Sequence, residues 1–264
     1  MRRLVPRLAV ALPLLGGCVA LSPQEEHRLG AEIDVQVRAQ APLVPDTAAQ
    51  RALQTLGARL ARVSDRPELP YRFALLDLPQ ANAFAVPGGF VYVTRGLIQR
   101  TATVDELAAA LAHEIAHVAA RHGVERLERE LRTGLVVQGL YRLFFGGEPD
   151  WLAHRALEIG AALWTARHSR QDEQEADRLA LAYLARAGFD PRALARLLRR
   201  LAADGDEPAA VEAWFATHPL TRDRLAAIDA ALAQRSPQPT APPPDAAAAY
   251  ATLRRRLAAQ AAAR

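Results

Sequence analysis

The sequence predicts an α+β domain that is mainly helical, and three observations carry that expectation. Ala- and Leu-rich stretches with helical spacing and recognisable caps fill most of the 264 residues. Two short runs rich in aromatic and β-branched residues lie together near residues 71–94, enough for only a small sheet. One helix just beyond them carries His113-Glu114-Ile115-Ala116-His117, an H-E-x-x-H arrangement. Half of the residues are hydrophobic, and the length suits one compact core of roughly 200 residues with appendages.

In chain order, Arg2, Arg3 and Arg7 precede the apolar stretch Leu8 to Leu15, too short for a membrane span and built like a secretory signal. It ends in Leu15-Gly16-Gly17-Cys18, which resembles a bacterial lipobox and contains the only Cys. Residues 1–17 are therefore expected to be a lipoprotein signal peptide, with Cys18 as the lipidation site. Pro23 to Gln40 and Thr47 to Ser64 read as amphipathic helices broken at Pro42 to Pro45. Tyr71 to Leu76 and Gly89 to Thr94 read as strands, with Pro87-Gly88-Gly89 as a turn. Thr103 and Glu106 form a T-x-x-E capping box before a helix over Val104 to Arg121. Gly134 to Trp164 reads as a hydrophobic hairpin, packed on the core or acting as a lid or membrane-touching flap; Arg142, His154 and Glu158 argue against a span. A helix from Ser169 to about Arg186 stops at Gly188 and Pro191, followed by helices over Arg192 to Ala203, Pro208 to Thr217 and Thr221 to Gln234. The expected main domain is thus 18–235, followed by a Pro-rich linker over 236–244 and a helical tail over 245–264.

Positions i and i+4 share a helix face, so His113 and His117 can grip one metal ion, with Glu114 beside them as candidate general base for hydrolytic water. A catalytic zinc takes three protein ligands. The extended motif H-E-x-x-H-x-x-G-x-x-H is absent, because Ala120 and Gly123 stand at its last two defining positions. His122, nine residues past His113, would lie across the helix if the helix continued. A carboxylate from the helix beginning at Ser169 is the alternative. Glu173 and Asp177 share a face while Glu175 points away, so one acid can bind metal and the other orient a ligating His.

With Asn82-Ala83-Phe84-Ala85-Val86-Pro87-Gly88-Gly89 upstream and Thr217-His218-Pro219-Leu220 downstream, the sequence from Ser22 to Arg235 resembles the HtpX/BepA/LoiP-type zinc metallopeptidases. That family also holds the CAAX prenyl proteases and the mitochondrial Oma-type peptidase. The resemblance implies a gluzincin-type domain with a small β-sheet beside the H-E-x-x-H helix and one Zn2+ per chain. It implies His113, His117 and Glu173 as ligands, Glu114 as base, and Asp177 as support for a ligand. His218 and Arg224 match positions assigned to the site, where they could steady an oxyanion or His218 could occupy the open coordination position; read without the family, His218 is a cap or surface residue at a helix start. An exposed edge strand can align an extended substrate, and Asn82, Ala83, Phe84, Ala85 and Val86 are the candidates for that contact, with a turn role open for Asn82.

The net charge of +4 falls to +1 once residues 1–17 and their three Arg are removed. All basic residues other than His are Arg, interleaved with acids, and no basic stripe with aromatics points to nucleic acid. Val19 stands where Asp would mark inner-membrane retention, so the resemblance implies a lipoprotein facing the periplasm from the outer membrane. The expected activity is endoproteolysis of misfolded or stalled envelope proteins, with the outer-membrane assembly machinery as a possible partner. The rival is a chaperone-like assembly factor with a latent or silent metal site.

Overall fold

The computed structural model describes residues 21–130, 168–203, 208–235 and 241–262. The signal segment, Cys18 and most of the expected linker lie outside them, as does the expected hydrophobic hairpin. Helices α1 (Pro23–Gln40) and α2 (Thr47–Ala61) precede strands β1 (Arg72–Leu76), β2 (Ala83–Val86) and β3 (Phe90–Thr94). Helices α3 (Arg95–Arg100) and α4 (Val104–Ala119) follow, and then α5 (Arg170–Ala187), α6 (Ala193–Ala203), α7 (Pro208–Thr217), α8 (Arg222–Ala233) and α9 (Pro244–Ala262). No helix among the described residues is long and apolar enough to cross a membrane.

The sheet has one strand more than the periodicity suggests. Its order is β1-β3-β2, with β1 parallel and β2 antiparallel to β3, pairing Phe73 with Val91 and Phe84 with Tyr92. Ala83–Val86 is too short and too uniformly apolar to show strand alternation; its pairing with β3 makes it a strand. Gly88 and Gly89 turn the chain between β2 and β3 with φ of 79° and 93°, a region open to glycine.

The two edges of the sheet are treated differently. At the β1 edge, the Gln50 amide donates to the carbonyls of Val44 and Leu75 and accepts from the Leu75 N–H, at 2.9–3.0 Å. One turn later on α2, Gln54 accepts from the Phe73 N–H at 3.0 Å and donates to the Tyr71 carbonyl at 3.3 Å. The two glutamines, with the Leu43–Leu76 bridge and the bond from the Val44 N–H to the Leu75 carbonyl, take the place of a neighbouring strand along this edge. Among the described residues no strand pairs with the far edge of β2.

Helix α4 is buried on nearly every side, from Val104 to Val118. Its many alanines let α5, α2, α6 and the sheet close in around it. α1 covers the other sheet face, where Ile33 and Val37 pack in a second cluster with Phe84, Val86, Phe90 and Tyr92. Gly30 on α1 is the point of closest approach: a Cβ there would lie 1.9 Å from the Pro87 carbonyl oxygen.

α4 ends earlier than expected, at Ala119, because Arg121 adopts a left-handed φ of 60°. That conformation costs of order 1–3 kcal/mol for a residue with a side chain. It is held by charge-assisted bonds: Arg121 donates to Glu26 at 2.6 Å and to the Leu21 carbonyl at 3.0 Å. Glu26 is buried and also accepts from Arg66 and the Gly88 N–H, tying α1, the glycine turn and the end of α4 together. Residues 122–130 then resume as a separate helical segment. α2 likewise ends at Ala61 rather than Ser64, whose hydroxyl turns back onto the Ala61 carbonyl.

The tail helix α9 lies along α2, fastened by Arg59 to Asp245 at 2.7 Å, by Tyr250 to the Thr101 carbonyl and by Arg254 to the carbonyls of Ile98 and Gln99. Replacing Gln50 by Leu should leave the Leu75 N–H at the β1 edge without its partner, while Gln54 and the Val44 N–H keep theirs. The expected loss is about 1–3 kcal/mol in denaturant unfolding, the cost of leaving buried peptide groups unpaired.

Candidate metal centre

Thr103 accepts from the Glu106 N–H and starts α4, whose second half presents His113 and His117 one turn apart on the side facing α5. α5 starts at Ser169, in a reciprocal capping box with Asp172. Glu173 and Asp177 follow one turn apart and are buried against α4, while Glu175 points outward, 51% exposed. The chain after α7 returns His218, which is buried at the helix end rather than exposed at a helix start; its N–H donates to the Trp214 carbonyl at 2.9 Å. The cap-or-surface alternative for His218 is therefore set aside.

These elements converge. Ligand-type atoms of His113, His117, Glu173 and His218 lie within 4.8 Å of one another. The Nε2 atoms of His113 and His117 are 3.1 Å apart. Glu173 reaches His117 Nε2 at 3.3 Å, His113 Nε2 at 3.5 Å and His218 Nδ1 at 3.0 Å. Asp177 stands behind, with Oδ1 at 3.1 Å from His113 Nδ1. Arg224 grips Asp177 through two bonds at 2.6 and 2.9 Å and also pairs with Glu173. Glu114 Oε1 is 3.3 Å from His218 Nε2.

Burial works against protonation of His113, yet the Glu173 charge and the hydrogen bonds to Asp177 and Glu173 outweigh it and lift its pKa to about 9. Burial also disfavours charge on Glu173, but His218 and His113 hold its carboxyl far below the usual range. Asp177 is likewise lowered, as hydrogen bonds from His113 and Arg224 overcome burial. For Glu114 burial prevails over the attraction of His218 and His113, and its carboxyl is raised. Burial, with His168 beside it, pushes His117 well down.

The donor set fits one zinc. Imidazole nitrogens and a carboxylate are the ligands zinc accepts. Glu173 Oε2 and His218 Nε2 are buried and make no aligned hydrogen bond, their neighbours being the charged Arg224 and Glu114. Three buried carboxylates face one buried guanidinium here, and with the histidines neutral as ligands this negative balance suits a divalent ion.

His113, Glu114, His117, Glu173, Asp177, His218 and Arg224 meet in this cluster, and Ala85 and Val86 share a hollow with His117, whereas Phe84 packs under α1 on the other face of the sheet. Asn82 is half-buried at the start of β2, where its N–H donates to Thr94 Oγ1 at 2.9 Å and its carbonyl accepts from the Thr94 N–H. Three neighbours escape the sequence reading. His168 stacks on His117 with ring centroids 3.8 Å apart, and Trp214 packs against His218 at 4.9 Å. His122 does not lie across the helix: the left-handed turn at Arg121 brings its Nδ1 to 2.9 Å from His117 Nδ1. A single His or Trp far from the motif carries no spacing signal by which to find it.

A buried H-E-x-x-H pair closed by a glutamate from a second helix is the site of a zinc metallopeptidase. The chain belongs to Peptidase family M48, whose model it matches over residues 47–232. It is 34% identical over 226 residues to the "Beta-barrel assembly-enhancing protease" of Yersinia pestis, covering 84% of this chain and 46% of that protein. With the protein of the same name from Escherichia coli (strain K12) it shares 31% identity, over 78% of this chain and 43% of the relative. With "Mitochondrial metalloendopeptidase OMA1" of Schizosaccharomyces pombe it shares 33%, over 65% and 49%. The chain thus spans less than half the length of these relatives.

The purified protein should carry one zinc per chain, measured by elemental analysis after a chelator challenge. Asp177→Asn should weaken zinc binding about 10–100-fold, the usual effect of removing the partner that orients a ligand, and Glu173→Gln should weaken it further.

Proposed function

We propose that this chain is a zinc endopeptidase held by Cys18 at the periplasmic face of the outer membrane, where it cleaves misfolded or stalled envelope proteins. The observation that carries the peptidase geometry is the free edge of β2 beside the buried His-His-Glu cluster. Extended polypeptide added to that edge would pair through main-chain hydrogen bonds, which suits substrates without a fixed side-chain motif. The names of the bacterial relatives and the L-G-G-C sequence at Cys18 support the location and the substrate class.

In this reading His113, His117 and Glu173 hold the ion. Bound there, zinc would supply the Lewis acidity that lowers the pKa of water and polarises the scissile carbonyl. Glu114 takes the proton from the attacking water at its carboxylate and returns it to the leaving amine. Its burial raises its proton affinity, which suits a group that must both accept and release a proton. Asp177 fixes the His113 ring through Nδ1, and Arg224 anchors Asp177. His218 stands within reach of Glu114, Glu173 and His113, and in this reading it takes the position that water and the substrate carbonyl need. It must withdraw for turnover, and from a withdrawn position it and Arg224 can steady the oxyanion. The closed position of His218 also favours a second reading, a chaperone-like assembly factor whose metal site rests latent.

Between β2 and the end of α4 lies a small, half-open hollow lined by Ala85, Val86, Pro87, His117, Val118, Gly123 and Val124, with Glu26, Arg121 and His168 at its sides. Its walls are largely apolar, with the ion pair of buried Glu26 and half-buried Arg121 at one side. Its apolar wall beside His117 is where a side chain next to the scissile bond would lie in this reading.

Glu114→Gln decides between the readings. The variant should keep its zinc and lose cleavage of an unfolded outer-membrane protein by about 10²–10⁴-fold; preserved cleavage would remove Glu114 from its role, and envelope assembly unaffected by the substitution would favour the assembly factor. Gly123→Leu should fill the hollow and lower kcat/KM roughly 10–200-fold for substrates with an aliphatic side chain at that point, at unchanged zinc content.

A further inference from the structure

The two histidines of the motif have different neighbours on their far nitrogens. His113 Nδ1 faces a carboxylate, Asp177, at 3.1 Å. His117 Nδ1 faces another imidazole, His122 Nδ1, at 2.9 Å. A ligating histidine needs its other ring nitrogen protonated and engaged, because that fixes both tautomer and ring orientation. For His117 the requirement falls on His122.

We infer that His122 is a positioning residue for the metal centre, accepting the Nδ1–H of His117 and thereby keeping the His117 Nε2 lone pair free for the ion. The inference rests on the reading of His117 as a ligand and adds a role for a neighbour that touches no reacting atom. The proton placement follows by elimination. Two nitrogens 2.9 Å apart share one proton. Were it on His122 Nδ1, the neutral His117 ring would carry its own proton on Nε2, pointing into the space between His113 and Glu173 where the ion must sit. The metal-binding arrangement therefore places the proton on His117 Nδ1 and leaves His122 Nδ1 as acceptor.

His122 must then carry its own proton on Nε2. That atom is buried and lacks a hydrogen-bond partner among the described residues. The Glu175 carboxylate lies 3.6 Å away, too far for a hydrogen bond but facing the nitrogen on which this tautomer places the proton. This gives Glu175, the acid of α5 that faces away from the cluster, a part in the site. The chain of contacts runs from Glu175 through His122 and His117 to the ion.

The turn that makes this possible is the left-handed Arg121. A helix continued past Ala120 would carry His122 away from His117; the break, held by Glu26 and Glu128, returns it. Pairing with a neutral imidazole rather than a carboxylate also leaves His117 the weaker electron donor of the two histidines.

The test compares His122→Phe, which keeps a planar ring without an acceptor, with His122→Gln, whose side-chain oxygen can still accept from His117. Zinc affinity is read by competition with a chromophoric chelator, and the melting temperature of each metal-free protein is recorded alongside. The Phe variant should bind zinc about 10–100-fold more weakly, with a shifted absorption band in the cobalt-substituted protein, while the Gln variant keeps most of the affinity. Both metal-free variants should melt alike. Glu175→Gln, a substitution at an exposed side chain, should weaken zinc binding in the same direction by a smaller factor and covers the case in which His122→Phe does not fold. Wild-type zinc affinity in His122→Phe, equal losses in the Phe and Gln variants, or an unchanged Glu175→Gln protein would overturn the inference. A wild-type protein that binds no zinc would instead overturn the underlying assignment of His117.

Discussion

The contact between α4 and α5 is the constraint from which the rest of the architecture follows. It places two imidazoles against two carboxylates in a space closed to solvent. Charges taken out of water are costly unless matched by partners, and each of these has them: Asp177 is met by Arg224, Glu173 by three histidines and Arg224, and the remaining negative excess by the ion the donor set fits. The alanines of both helices serve the same end, since larger side chains would hold the backbones too far apart for one residue from each to reach a common point.

Around that contact, each neighbouring element answers a local need of the site. α1 reaches it through Glu26, which binds the arginine that breaks α4 and the N–H of the glycine turn ending β2. The sheet lies between α1 and α4, with one edge closed by Gln50, Gln54 and the Pro42–Val44 segment and the other, at β2, without a strand partner among the described residues. This asymmetry is a physical reason for substrate to approach from one side: main-chain groups at the β1 edge are already paired, those at the outer edge of β2 have no strand partner among the described residues. The link from Leu21 through Arg121 to the hollow also joins the start of α1 to the wall of the site.

Much of this arrangement is legible in the amino-acid sequence. The H-E-x-x-H spacing names His113, Glu114 and His117, and the four-residue interval from Glu173 to Asp177 names the acids on the facing helix. The capping residues Ser22, Thr103, Ser169 and Thr221 set the helix starts closely, because a cap is a local contest between side chain and backbone. Helix ends are less legible where they depend on distant partners. Arg121 terminates α4 only because Glu26, 95 residues earlier, holds its guanidinium. β2 does not stand out as a strand, since four residues carry too little alternation to differ from a loop.

Sequence by itself therefore determined which side chains share a helix face and which chemistry they can perform. Covalent spacing and the helical repeat fix those properties wherever the helix lies. Helix spacing left open which of the two acids meets both histidines; the resemblance named Glu173, and tertiary structure is what sets Glu173 between the histidines with Asp177 behind His113, brings His218 to the cluster and turns His122 back to His117. Those outcomes depend on the distance between segments up to 111 residues apart, and packing sets that distance, not spacing along the chain.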